Sequence, residues 1–321
     1  MQDFTRALIQ TPDFWPASEV EMDAAFDSVS CGEIIEYGRS VTGHPLRLVH
    51  VANPGAQVLW VMGGAHGHEP GGVAACFNLL QIIATSRDLR GKRWPEIAAF
   101  ADDLEMVIVP CQNIDARLRS PDGFVGLPRS VVQTIGQGID REGRTMDREA
   151  GLPDGLDLDE VSFIGTLYNE AGFSFNRAYD YDTTPVMEVQ QMLEVMPQFP
   201  PDCCMDLHGC GFNVMMMVRS LPEPYREKVR TIDTAAREAV RALGHEYSDT
   251  LPGSDAPPDT GVFSHLRIIH KRHGALAFVY ESRQGFLDQL PRCDYDDIID
   301  DYLTTIRETM RRGIKEGFHP D

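Results

Sequence analysis

The sequence predicts a single α/β domain built on a mixed, mostly parallel twisted sheet flanked by helices. Three observations lead there. Short, continuous apolar runs recur at 57–62, 104–109, 203–207 and 276–280, the pattern of strands covered on both faces. Helical periodicity lies between and after them, at 185–196, 224–243 and 295–312, and such alternation builds α/β sheets. The 321 residues show no internal repeat and no linker, and a chain of this size can bury roughly three quarters of its unfolded surface in one core.

Residues 1–30 form a helical lead-in, with Phe4, Leu8, Ile9, Val20, Met22 and Phe26 at loose helical spacing interrupted by Pro12 and Pro16. The main domain is expected over 31–321. It opens with β-rich runs at 33–37 and 46–51 around the polar turn Gly38-Arg39-Ser40-Val41-Thr42-Gly43, which reads as a hairpin. The run at 57–62 stops at Gly63-Gly64. Pro70 then stands where a helix begins, and Val73, Phe77 and Leu80 follow on one helical face. Residues of about 114–174 hold Gly, Pro and charge without sustained periodicity, the mark of a long irregular insertion. Within it, Gly136-Gln137-Gly138 follows no apolar run and does not read as a nucleotide fingerprint. Asp154, Asp157, Asp159 and Glu160 lack calcium-loop spacing and read as a solvated acidic face. The acidic stretch 294–301 reads as an exposed helix face, and Met215-Met216-Met217 as a buried strand or a pocket lining.

Composition narrows the partners. Lys and Arg number 29 against 49 Asp and Glu, a net charge of −20, which argues against nucleic acid or an anionic membrane surface as the main partner. No apolar run approaches the roughly 20 residues of a membrane span. The N-terminal residues carry an early acid and no continuous apolar segment, so a cytoplasmic location is expected. Seven cysteines include no C-x-x-C pair and suggest no disulfide framework. Neither a G-x-S-x-G elbow nor a phosphate-binding G-x-x-x-x-G-K-[ST] loop is present.

Chemistry concentrates where strands end. Gly64-Ala65-His66-Gly67-His68-Glu69-Pro70 follows the run ending at Met62, and Met205-Asp206-Leu207-His208-Gly209 closes another. An imidazole and a carboxylate three residues apart on a strand-to-helix turn can face one point, and a hydrolytic zinc site needs two such ligands and a distant third. His66, Glu69 and His208 make a His2Glu set with one position left for water. Each alone reads more readily as a surface or hydrogen-bonded side chain; their shared placement after buried strands reverses that reading. Glu281, at the tip of the apolar run ending in Tyr280, is costly to bury without a partner or a proton to handle. It is a candidate general base, with an ion pair to Arg283 as the plain alternative. Asn176 and Arg177 set an amide beside a guanidinium fork suited to a carboxylate, and from this segment alone a surface ion pair between Arg177 and Asp180 reads at least as well. The His66-Gly67-His68 spacing also fits a pair of histidine ligands in a metal-dependent barrel, but eight strand and helix pairs are not visible, and His68 is read as lining the pocket.

Taken in order, Gly64 to Glu69, Asn113-Ile114-Asp115, Asn176-Arg177, Asp206-Leu207-His208 and Glu281 resemble the zinc metallocarboxypeptidases of the carboxypeptidase A type, and Tyr37 to Leu46 looks like that family's opening signature. The resemblance covers about 33–290. It implies zinc on His66, Glu69 and His208, Glu281 as general base, and Asn176 with Arg177 holding the substrate's free carboxylate. It also implies an arginine that polarises the scissile carbonyl. Arg117, Arg119 and Arg129 compete for that role, and Arg119 is assigned to it. Asn113-Ile114-Asp115-Ala116 departs from the family's Asn-Pro-Asp-Gly and leans toward the succinylglutamate desuccinylase and aspartoacylase branch. The mobile tyrosine of digestive-type members has no counterpart in 251–263.

The expected activity is zinc-dependent hydrolysis of an amide bond next to a free carboxylate, on small peptides or amidated amino acids. The alternatives are an N-acyl amino acid deacylase using the same metal site and a catalytically silent binding protein of the same fold. The oligomeric state stays open.

Overall fold

The computed structural model describes residues 10–152, 154–177, 183–217, 221–250 and 264–320. The chain runs α1 (Glu19–Asp27), β1 (Glu33–Arg39), β2 (Pro45–Val51), β3 (Gln57–Gly63), α2 (Pro70–Thr85), α3 (Pro95–Ala101), β4 (Leu104–Val109), α4 (Ile114–Leu118), α5 (Arg129–Gln137), β5 (Gly138–Asp140), β6 (Val161–Ile164), α6 (Met187–Val195), β7 (Cys203–Cys210), β8 (Val214–Met217), α7 (Glu223–Ala242), α8 (His265–His273), β9 (Leu276–Arg283) and α9 (Tyr295–Glu316). The expected lead-in contains α1, which starts at Ser18 through a capping box with Glu21.

Seven strands form one sheet in the order β1-β2-β4-β3-β7-β9-β8. The inner strands β4, β3, β7 and β9 are parallel, and β1, β2 and β8 join antiparallel at the two sides. From β3 the chain passes to β4 on one side and later returns to β7 on the other. The carboxyl ends of β3 and β7 therefore flank the point where strand order reverses, the place where open α/β sheets bind ligands.

Helix α2 is buried almost all round, at Val73, Ala74, Ala75, Cys76, Phe77, Leu79, Leu80 and Ile82 among others, as expected of a helix inside a layer rather than on its surface. Gly72 lets it approach the sheet: a Cβ there would lie 2.7 Å from the Leu207 carbonyl oxygen. Helices α2, α3, α7 and α9 pack on one another. Strands β7 and β9 run past the apolar stretches that announce them, so that His208 and Glu281 lie within strands and pair in register.

The stretch 114–174 holds more order than its sequence suggests. It contains α4, α5 and a two-stranded sheet of β5 and β6. Asn113, just before it, and Asp115 within it brace the centre of the molecule. Asn113 caps α4 by accepting from the Ala116 N–H at 3.3 Å. The buried carboxylate of Asp115 accepts from Ser40 Oγ at 2.7 Å, from Thr42 Oγ1 at 2.5 Å and from the Thr42 N–H at 3.1 Å. The hairpin turn and the Asn113 motif are thus parts of one joint.

The expectation of an exposed acidic face at 294–301 holds for part of that stretch only. Asp301 falls one helical turn beyond Ile298, on the inner stripe of α9, and is 0% exposed. It accepts from Arg283 Nε at 2.9 Å and Asn213 Nδ2 at 3.0 Å, and lies 2.6 Å from His245 Nδ1. Arg283 is therefore committed to α9. Removing one partner of a buried ion pair strands the other charge at a cost of about 3–5 kcal/mol. Asp301→Ala is accordingly expected to lower the unfolding free energy by that amount, read as a lower denaturant midpoint with an unchanged slope; a loss under about 1 kcal/mol would show that this network does not hold α9 to the sheet.

Candidate metal centre

The loop from β3 to α2 carries His66, His68 and Glu69, and its shape is imposed from several sides. Gly64 takes φ of 68°, a conformation suited to glycine. Gly67 packs so tightly on α4 that a Cβ would sit 2.0 Å from the Ala116 carbonyl oxygen. The loop after β4 is zipped onto it by Gln112 N–H to Gly63 O at 2.9 Å and Asn113 N–H to Gly64 O at 3.0 Å. On the other side Gly67 N–H donates to Thr166 O at 3.0 Å. Arg117, buried at 1% exposure, donates to the carbonyls of Gly67, Ser120 and Pro121.

Three expected donors come together. His66 Nδ1 is 2.9 Å from Glu69 Oε1, His208 Nδ1 is 2.9 Å from Glu69 Oε2, and the two Nδ1 atoms are 3.3 Å apart. A tetrahedral zinc with bonds near 2.05 Å needs ligand atoms about 3.3 Å from one another. Although close to His208, Glu69 Oε2 is buried without a hydrogen bond among the described residues. Three donors that crowd one buried point at these separations fit a cation between them. His66, His68 and Glu69 also place donors within 4.8 Å of one another. The looser member is His68, whose Nδ1 lies 2.8 Å from Thr166 Oγ1 and whose Nε2 is 3.7 Å from Glu69 Oε1.

Electrostatics point the same way. Burial would raise the Glu69 carboxyl, but the His66 and His208 imidazoles outweigh it and hold the group well below the carboxylate range. Burial would lower His208, yet the carboxylates of Asp206 and Glu69 hold it well above its ordinary value. Both shifts state that this point favours positive charge. His68 has no comparable support, and burial pushes it down to about 3.

Behind His208 stands a group that the sequence did not single out. Asp206 Oδ2 lies 2.9 Å from His208 Nε2 and 3.4 Å from His265 Nε2, and Asp206 Oδ1 accepts from Gln112 Nε2 at 2.7 Å. Asp206 and His208 share a face of β7 because strand side chains alternate, so their proximity was readable; Gln112 and His265 come from other elements.

The other expected residues are more scattered. Glu281 pairs in register with His208 on the neighbouring strand. Asn176 and Arg177 are half-buried in the turn after Phe175, whose ring meets His265 edge-on at 6.3 Å. Asp180, the nearby carboxylate, lies outside the described residues, as does 251–263. Arg119 is engaged by the Glu170 carboxylate and by the Tyr168 carbonyl at 3.0 Å. Arg129 reaches across to the exit of β7, its Nη1 3.6 Å from where a side chain at Gly211 would begin.

The sequence profile of the zinc carboxypeptidases matches residues 24–287. The chain belongs to the zinc carboxypeptidase family. Zinc is the metal of that family, and the His-His-Glu group fits it. Solved structures share the fold. They include a metallo-carboxypeptidase from Burkholderia cenocepacia at 17% identity and TM-score 0.58, covering 92% of this chain and 69% of that one. A metallo-carboxypeptidase from Pseudomonas aeruginosa, in complex with (2-guanidinoethylmercapto)succinic acid, is 16% identical with TM-score 0.61, covering 95% and 70%. Thrombin activatable fibrinolysis inhibitor is 13% identical with TM-score 0.62, covering 98% and 83%. No curated protein matches at the level of sequence. Among the described residues, no helix of this zinc carboxypeptidase is long and apolar enough to cross a membrane.

A ligand that binds only the folded state stabilises it by about 2.7 kcal/mol at one hundred times its dissociation constant. Zinc at that excess is expected to raise the melting temperature of chelator-treated protein, and Glu69→Ala is expected to abolish the rise. An equal rise in the variant would remove Glu69 from the metal site.

Proposed function

We propose that this zinc carboxypeptidase hydrolyses the amide bond next to a free carboxylate, on small peptides or amidated amino acids, with zinc held by His66, Glu69 and His208. The observation that carries the assignment is the meeting of three buried donors from two strand ends, 2.9–3.3 Å apart, at the point where strand order reverses.

Bound there, zinc supplies Lewis acidity, which brings a coordinated water's pKa to about 7 and polarises the scissile carbonyl. The chain supplies the rest. Glu281, beside His208 across β7 and β9, takes the proton of the attacking water and delivers it to the departing amine. The role expected of Arg119 passes to Arg129. Arg119 is tied to Glu170 and Tyr168, and Arg117 to three carbonyls. Arg129 extends toward the β7 exit, where a guanidinium can donate to the oxyanion as it develops. Asn176 and Arg177 bind the substrate's free carboxylate as amide and fork. A cationic pocket in a chain of net charge −20 concentrates an anionic substrate tail where the outer surface repels it.

The decisive experiment compares dipeptides with a free C-terminus, the same dipeptides amidated, and N-acyl amino acids, following released amino acid. Free dipeptides are expected to be cleaved best, with amidation costing about 10–100-fold in kcat/KM for the lost charged hydrogen bonds. Indifference to amidation would overturn the carboxylate grip, and a preference for acyl groups would make the protein a deacylase. In the same assay, Glu281→Gln is expected to keep its zinc and lose about 10²–10⁴ in kcat, and Arg129→Ala about 10²–10³. Unchanged turnover in either variant removes that residue from the mechanism.

A further inference from the structure

Asp206 is a fully buried carboxylate at the centre, 0% exposed, and the chemistry above leaves it without a task. Its two oxygens are already committed. Oδ1 is held by Gln112 Nε2 at 2.7 Å, and Oδ2 faces His208 Nε2 at 2.9 Å with His265 Nε2 at 3.4 Å. Gln112 is itself fixed by its N–H to the Gly63 carbonyl at 2.9 Å, at the exit of β3. An oxygen pinned by a neighbouring amide cannot swing forward to become a ligand. What it can do is act on the imidazole in front of it.

We propose that Asp206 is a positioning residue for His208: by accepting the Nε2–H it fixes the tautomer whose Nδ1 lone pair points at Glu69 and His66, where the metal binds. The inference rests on the zinc-hydrolase assignment above and deepens it. A histidine can ligate only as the neutral imidazole with its lone pair on the correct nitrogen, and a carboxylate on the opposite nitrogen settles that choice, orients the ring and raises its basicity. Tyr302 adds a second restraint, its hydroxyl donating to the His208 carbonyl at 2.5 Å. His66 has no matching device: its Nε2 is buried and without a hydrogen bond among the described residues. Support of the two histidines is one-sided, so the single carboxylate carries an unusual share of the pre-organisation.

The test uses zinc affinity, read by competition with a chromophoric chelator, in the wild-type full chain, Asp206→Asn and Glu69→Ala. Asn keeps the shape of Asp and removes its charge. Gln112 Nε2 goes on holding the oxygen on its side, which turns the new amide NH2 toward His208 Nε2 and favours the wrong tautomer. Asp206→Asn is expected to weaken zinc binding about 10–100-fold, measured below the melting temperature the variant shows in chelator, and to move the His208 proton from Nε2 to Nδ1 in ¹⁵N-histidine spectra, a change a merely structural role would not give. Equal affinity in Asp206→Asn, beside lost binding in Glu69→Ala, overturns the inference and leaves the zinc site standing. Absence of zinc binding in the wild type overturns both. Should Asp206→Asn fail to fold, ¹⁵N-histidine NMR of the zinc-loaded wild type decides. A protected, downfield Nε2–H on His208 supports the assignment, and protonation at Nδ1 rejects it.

Discussion

Two carboxylates, Glu69 and Asp206, are buried on opposite sides of one imidazole, each 2.9 Å from a different nitrogen of His208. Burying one ionised carboxylate is expensive and burying two within reach of each other more so, unless positive charge lies between them. The rest of the centre follows from that constraint. His208 is held well above its ordinary pKa by the two carboxylates in spite of its burial, while His265, with only a distant edge of Asp206, is drawn down to about 4 by burial. Imidazoles a few ångströms apart thus differ in character according to the carboxylates that face them.

Such a cluster needs a scaffold that brings distant segments to one place, and the sheet does so by topology. The parallel arrangement aligns the carboxyl ends of β3, β4, β7 and β9 at the same edge. Four segments spread over more than two hundred positions, carrying His66 and Glu69, Gln112, His208 and Glu281, become neighbours through that alignment. The hairpin of β1 and β2 contributes at one remove, through the bonds of Ser40 and Thr42 to Asp115.

Much of this was legible in the sequence because buried parallel strands are short apolar runs and polar residues at their ends stand out. The β3, β4, β7 and β9 segments, the hairpin, and the helices α2, α6, α7 and α9 were all visible in that way. Helix α5 was not, since Val132, Ile135 and Gly136 are its buried residues, too few to register as a period. Strand β8 is four residues long, and its run of methionines suits strand and pocket wall alike. The roles of the arginines could not be ranked from spacing, because what decides them is the acceptor each meets. Arg119 meets Glu170, fifty-one positions away, and Arg117 meets carbonyls, which leave no trace in composition. Asp206 was in view, but its significance depends on Gln112 and His265, which the fold supplies.

The tight seat of Gly67 against α4 has one more implication. With Ala116 pressed against its backbone, Thr166 receiving its N–H and Arg117 gripping its carbonyl, the segment joining His66 to Glu69 has no free side on which to open. The two side chains are therefore presented from a backbone whose position is set by its neighbours, and their spacing is fixed before anything binds between them.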